Sequence, residues 1–515
     1  MSAGKEAAPQ RGATAVLLAL AAVKLVAHLA NAARYGIFRD ELYYLACAEH
    51  LDWGYVDQPP LIAGIAWVAR RLFGESLYGL RFLPALAGAA KVVLAGLLAR
   101  ALGGGRFSQA IAALAVLAAP IYLGIDHLLT MNAFEPLFWM GGALAAIRWT
   151  RTGDDRLWIW FGALLGLGLL NKQTTFVFGF AMLAGLLVTP ARAALRLRGF
   201  WIGGGVAFAI FLPNLVWMAR HGFPMLELLG NIRASGRNVS LDPLAFLGQQ
   251  VLFLLPLSAP LWIAGLAWLL AAREARPYRF LGWAFVVLEL TLFLTGGRVY
   301  YAAAFFPLLF AAGGVALERV LSVRRRLAWL GPAYAALVAA AGVVFAPLTL
   351  PVLSQDAYIR YAARLGIEQP RIETHEMGRL PQIYADMHGW EEMAQAVARV
   401  YRALPEEARR HTAIVGNNYG ESGAIDFFGP GLGLPRAIGV HQSYWLWGPG
   451  ETRPEVLIVL GEGDRAALES KCASVEEVAR LDHPYAMPYE NRPIYLCRGP
   501  KGDLREIWPL LKSWN

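Results

Sequence analysis

The chain of 515 residues is 57% hydrophobic and 17% charged, with a mean hydropathy of +0.42 and a net charge of +9. Repeated apolar runs long enough to cross a hydrocarbon core of about 30 Å make this the composition of a polytopic membrane protein. Most of the positive charge sits in short loops between those runs, so it marks topology and excludes nucleic acid as the partner.

In chain order, residues 13–33 form a first apolar run without a convincing small-residue cleavage site, and are expected to stay as a first span. They lead into FRDELYYLACAEHLDWGYVDQPP, residues 38–60, which places Asp40, Glu41, Glu49, Asp52 and Asp57 beside a span. Carboxylates at a bilayer edge cost free energy unless they are solvated, paired or used, so this is the candidate active-site loop. Residues 61–73 are apolar but too few to cross, and are read as re-entrant or interfacial.

Further apolar segments at about 80–102, 108–125, 133–149, 157–171, 174–190, 200–220, 246–271, 280–296, 300–319 and 327–349 bring the expected total to about eleven spans. With the N-terminus inside, Arg100 and Arg106, Arg148 to Arg156, Arg192 to Arg198, Arg273 to Arg279 and Arg324 to Arg326 all fall in cytoplasmic loops. Arg70, Arg71 and Arg81 dissent from that rule. The opposite face collects the acidic loop, Asp126 and His127, Asn171 and Lys172, residues 221–242, and Arg298 with Tyr300 and Tyr301.

After about residue 350 the spans cease. WEEMAQAVARVYRAL has a helical period, and HTAIVG, EVLIVLG and PIYLCRG are short apolar runs bounded by turn signals. The expected architecture is therefore an α-helical polytopic domain over 1–350, with its acidic first external loop at 34–60, followed by a soluble periplasmic α/β domain over 351–515. Three cysteines, Cys47, Cys472 and Cys497, are too few for a disulfide scaffold. A bridge between Cys472 and Cys497 and two unpaired buried thiols are both open, since spacing does not decide pairing.

Gly103 to Gly105 sit at a loop tip, and GLGLLNKQT around Lys172 lacks the glycine a phosphate-cradling loop needs before its lysine, which disfavours a soluble nucleotide donor. The nine histidines show no metal-ligand spacing. No cofactor is therefore expected, although several acids in one loop leave a divalent ion open. Gly162 and Gly166 form a small-xxx-small pattern that reads as close helix packing.

The aromatic-rich FRDELYY loop, the Pro-Pro-led QPPLIAGIAWVARRLFG and the arginine-led LRFLPALAGAAKVV together resemble bacterial C-superfamily glycosyltransferases over about residues 14–310. The likeness is to the aminoarabinose-transferase and protein-mannosyltransferase group. It implies a polyprenyl-phosphate sugar donor used on the external face, and a first-loop Asp that acts as base or positions the acceptor. Asp40 is the expected base, because transfer needs a carboxylate within about 3 Å of the attacking hydroxyl. Glu41 is the second candidate, and as a helical neighbour it does not share the face of Asp40. Both acids also suit the positive end of a helix dipole.

The departing phosphate needs cations or donors. The resemblance assigns this role to Lys172 in LGLLNKQ and to Arg298 with Tyr301, ahead of a Tyr-x5-Pro pattern that ends at Pro307. Snorkelling to headgroups is the plainer reading of both cations. The sequence departs from the family at Asn132, where relatives place a second Asp, and at Gln58, where they place a lysine. Asp126, beside His127, and Glu135 are the candidates to replace that second acid. Tyr43, Tyr44, Trp53 and Tyr55 fit an interfacial belt or a sugar-stacking surface. Residues 415–450, rich in glycine, amides and aromatics, suit either acceptor recognition or an ordinary connecting loop.

Taken together these features predict an inner-membrane enzyme that moves a sugar to an envelope lipid, glycan or protein, in contact with membrane lipids. A lipid or sugar transporter is the alternative. It would use intramembrane charges as a substrate pathway, and it lacks support from any inverted repeat.

Overall fold

Six helices of the computed structural model are long and apolar enough to cross a membrane, counted over the residues it describes: 11–236, 241–367, 374–450, 453–461 and 465–515. They are Gly12–Leu29, Leu77–Ala101, Arg198–Arg220, Arg276–Leu294, Phe306–Val323 and Arg325–Leu348. Two bent pairs, Thr175–Leu187 with Pro190–Arg196 and Pro243–Phe253 with Pro256–Ala271, raise the number to eight if each pair is one span. The eleven spans expected from hydropathy are not reached on length and composition. One reason is visible at Pro120, where the apolar run is split into helices Arg106–Ala118 and Pro120–Ile125, because the residue before a proline is driven to extended backbone. The expected helical membrane protein with a small α/β region is otherwise what the chain forms.

The chain folds as two compact units, neither continuous in sequence. The first comprises Met1–Ala32, Tyr78–Leu215 and Ser240–Val352, and it holds the spans. Aromatic side chains such as Trp139, Trp158, Phe178, Phe280 and Phe305 fill its centre, with Trp139 stacked on Phe178 at 4.7 Å. The small-residue pattern does what the sequence suggests: a Cβ on Gly162 would lie 1.9 Å from the Gly203 carbonyl oxygen, so the Leu157–Asn171 and Arg198–Arg220 helices touch backbone to backbone.

The second unit comprises Ala33–Leu77, Val216–Val239 and Leu353–Asn515. It contains the acidic loop, which forms the helix Arg39–Glu49, and the segment 61–73, which forms the helix Leu61–Phe73. The latter has 13 residues, about 20 Å at 1.5 Å per residue, too short to cross. Trp67, Leu72 and Phe73 are exposed on it, as an interfacial helix requires.

Five strands, β1 (Thr412–Gly416), β2 (Ala437–Gly439), β3 (Val456–Leu460), β4 (Cys472–Arg480) and β5 (Pro493–Pro500), form one sheet in the order β2-β1-β3-β5-β4. The β1–β2 and β1–β3 pairs are parallel, and β5 pairs antiparallel with both β3 and β4. The expected helix appears as Trp390–Ala403.

Two glycines hold the loop helix against the helix Tyr419–Leu432. A Cβ on Gly420 would lie 2.6 Å from Arg39 Cγ, and one on Gly423 would lie 2.9 Å from Leu42 Cβ. Bulk at either position would push the two helices apart.

Cys472 and Cys497 form a disulfide between neighbouring strands, and Cys47 is a buried free thiol. Closing a loop of 25 residues' separation contributes about 3 kcal/mol through the unfolded chain. Replacing both cysteines with serine is expected to lower the stability of residues 353–515 by about that amount in a denaturant titration, and an unchanged midpoint would contradict the crosslink.

Candidate active site

The acidic loop gains its geometry from the ends of its helix. Glu41, fully buried, accepts the Phe38 backbone N–H at 2.9 Å and so closes the helix N-terminus. That leaves Asp40 as the outward acid of the first turn, about one-third exposed, as the 100° offset between helical neighbours requires. The Tyr419 hydroxyl donates to Asp40 Oδ1 at 2.8 Å. Arg39 lies 3.9 Å from the same oxygen and 3.7 Å from Asp386, and its guanidinium donates to the Tyr489 hydroxyl at 2.8 Å. Asp40 is therefore fixed in place from two sides while one face stays open.

Further along the loop the Tyr43 hydroxyl donates to Asp57 Oδ1 at 2.8 Å and lies 2.7 Å from Ser443 Oγ, which also accepts the Val56 N–H at 3.1 Å. Burial is the main force that lifts the Asp57 carboxyl from 3.8 to about 7, against the Tyr43 hydrogen bond and with a further push from the charge of Asp40. Nearby, burial and the charge of Glu421 push the Glu490 carboxyl up from the usual range. Among the loop acids Asp57 had no sequence-level role. Its partner Tyr43 also meets Ser443, 400 residues away in sequence and beyond any local pattern.

In the membrane unit a first polar cluster surrounds Asp126, which is fully buried. It pairs with Lys24 at 3.1 Å and with Lys91, and both ammoniums are equally enclosed. Lys24 also donates to the Tyr122 carbonyl at 2.8 Å and Lys91 to the Ala133 carbonyl at 2.9 Å. His127 is buried, with its ring 6.0 Å from that of His28. Two cations enclose Asp126, so it has an ion-pairing role here whether or not it has another.

The second cluster brings together most of the remaining sequence candidates. Lys172 Nζ donates to Asn132 Oδ1 at 2.7 Å and to Glu135 Oε2 at 3.2 Å, and lies 4.4 Å from the Tyr301 ring centroid. Thr174 donates to the other Glu135 oxygen. With its side chain only 10% exposed, Lys172 is not a snorkelling cation. Arg298 is half-buried, 3.5 Å from the Tyr300 hydroxyl. Among the described residues no three His, Cys, Asp or Glu side chains come together as a metal site would need.

Residues 57–217 match the family model described as dolichyl-phosphate-mannose-protein mannosyltransferase. The lipid A galacturonosyltransferase RgtD of Rhizobium johnstonii is 31% identical over 192 residues, 36% of this chain and 39% of that protein, so the match spans well under half the relative's length. The fold is similar to that of ArnT from Cupriavidus metallidurans bound to undecaprenyl phosphate, with a TM-score of 0.60 at 18% identity over 96% of this chain and 100% of that one. It is also similar to the archaeal oligosaccharyltransferase AglB from Archaeoglobus fulgidus, in complex with an inhibitory peptide and a dolichol-phosphate, with a TM-score of 0.52 at 12% identity over 81% and 63% of the chains. The family model and the relative are both of glycosyltransferases, in agreement with the likeness read from the sequence.

Two outcomes follow from the electrostatics. Asp126→Asn leaves two buried ammoniums without their carboxylate and is expected to cost about 3–5 kcal/mol, read as a large fall in melting temperature in detergent; a wild-type melting curve would contradict the pairing. Asp57 titrates near 7 in the fold but near 3.8 unfolded, so folding disfavours its ionised form. Its contribution to stability is neutral below the unfolded value and becomes increasingly unfavourable as pH rises towards 7. The melting temperature of wild type should therefore fall relative to Asp57→Asn between pH 4 and 7, and parallel curves would show an ordinary carboxylate.

Proposed function

We propose that the protein is a membrane glycosyltransferase that moves a sugar from a polyprenyl-phosphate donor to an envelope lipid, glycan or protein, with Asp40 as the base. The observation that carries this reading is Asp40 itself, held at Oδ1 by Tyr419 and still open on one side at the start of a membrane-adjacent loop. The family match and the shared fold with lipid-phosphate-bound proteins support the donor class. The relative's action on lipid A supports an acceptor that carries sugars on an amphiphile.

In this mechanism the acceptor hydroxyl attacks the anomeric carbon and gives its proton to Asp40. The bond from that carbon to the phosphate oxygen breaks, and its electron pair leaves with the polyprenyl phosphate, a diester that becomes a monoester. Growing negative charge on that phosphate is assigned to Lys172 and Arg298, with Tyr301 as a hydroxyl donor. Glu135 and Asn132 orient Lys172. The location that goes with this chemistry is the bacterial inner membrane, with the acidic loop and residues 351–515 on the periplasmic side.

The test is transfer from a labelled polyprenyl-phosphate sugar pool into envelope acceptors at matched membrane expression. Asp40→Asn is expected to lose about 10²–10⁴-fold in rate while folding normally. Tyr419→Phe, which removes one hydrogen bond to a charged group, should lose about tenfold. Full transfer by Asp40→Asn would move the base elsewhere, and no transfer by wild type would favour a transporter.

A further inference from the structure

A second concave site lies in the same unit, at the far end of the loop helix. It is a cavity of about 260 Å³ lined by the loop from His50 to Tyr55, by Trp217 and His221, and by Ser443 to Trp447. Two pairs of flat rings build its walls: Trp447 stacks on His50 at 4.2 Å and 12°, and Trp217 stacks on His221 at 4.1 Å and 22°. Asp52 is exposed between them, accepting the Trp217 indole N–H at Oδ2 (2.7 Å) and the Trp53 backbone N–H at Oδ1 (2.7 Å). A carboxylate has about four acceptor positions, so these two bonds leave roughly half its capacity for a ligand. Trp53 is 55% exposed beside it. The backing is rigid, since the Tyr55 hydroxyl is tied to the Cys47 and His50 carbonyls at 2.9 and 3.1 Å.

We propose that this cavity binds a sugar ring of the acceptor, one distal to the hydroxyl that reacts; the proposal rests on the glycosyltransferase reading above. Aromatic faces suit the C–H face of a pyranose, and a spare carboxylate with two imidazoles suits its hydroxyls. The volume lies below the ~300–1,000 Å³ of drug-sized sites, which matches one small polar ring. The charge of Asp52 favours a neutral or amine-bearing sugar over an anionic one.

Distance separates this ring from the reacting one. Asp40 opens the loop helix and His50 caps its other end, ten residues on, or about 15 Å at 1.5 Å per residue. A sugar in the cavity is too far from Asp40 to be the ring under attack or the one attacking. It belongs to an extended acceptor that spans the length of the helix, and the aromatic loop and residues 415–450 both contribute to holding it.

The experiment uses the full-length protein in lipid nanodiscs with two soluble probes, a glucose trisaccharide and a glucosamine disaccharide, followed by tryptophan fluorescence and saturation-transfer NMR. Wild type is expected to bind at least one probe saturably, with about tenfold weaker binding in Trp447→Ala and in the isosteric Asp52→Asn, and unchanged binding in Asp40→Asn. In transfer assays the same two variants should raise KM about tenfold for an oligosaccharide-bearing acceptor, with kcat and the KM for donor unchanged. If Trp447→Ala does not fold, Asp52→Asn decides alone. Wild-type KM in both variants, or no probe binding by wild type, overturns the subsite. Probe binding that depends on Asp52 without transfer by any protein would overturn the glycosyltransferase reading and keep the sugar site.

Discussion

The hydrogen bond from the Tyr419 hydroxyl to Asp40, across 379 residues of sequence and beside the Arg39 guanidinium, holds the loop carboxylate in place. The loop helix has 11 residues and would be marginal alone, so its order comes from what it packs against. Gly420 and Gly423 let the Tyr419–Leu432 helix approach it closely, Asp386 receives the Arg39 N–H at its carbonyl at 2.9 Å, and Ser443 meets Tyr43. The C-terminal half of the unit is thus the scaffold of the acidic loop. A carboxylate on so short a helix is held in one geometry only by such a scaffold.

The membrane unit handles charge by a different rule. Buried lysines in an apolar bundle persist because each meets a carboxylate and a carbonyl or amide oxygen. Around Asp126 two ammoniums share one carboxylate, an arrangement that ties together the first span, the Leu77–Ala101 helix and the turn after Ile125. Around Lys172 the cation instead faces two tyrosine rings as well as Glu135, so part of its charge is presented to a π surface.

Much of this was legible in the sequence because the chemistry is local or expensive. The acids of residues 38–60 stand out against an apolar chain, and the period-100° argument separates Asp40 from Glu41, whose side chain closes the helix end. Glu135, an ionisable group inside an apolar helix and a sequence candidate, is paired with Lys172. The strands around HTAIVG, EVLIVLG and PIYLCRG followed from short apolar runs with turn signals. Pairings between distant segments were not legible: Lys24 and Lys91 with Asp126, Tyr419 with Asp40, Ser443 with Tyr43, and the assignment of residues 33–77 to the same unit as the C-terminal sheet. Hydropathy counts more spans than the six to eight that helix length and composition give among the described residues, in part because it sums apolar residues across breaks such as Pro120.

The central claim is that Tyr419 acts through Asp40, and a double-mutant cycle on transfer rate isolates that coupling. Wild type, Asp40→Asn, Tyr419→Phe and the double variant would be compared for kcat with one labelled donor and acceptor at saturation. The account predicts that Tyr419→Phe slows the wild-type enzyme but adds nothing on the Asp40→Asn background. Equal, additive losses on both backgrounds would show that the two residues act independently and would contradict it.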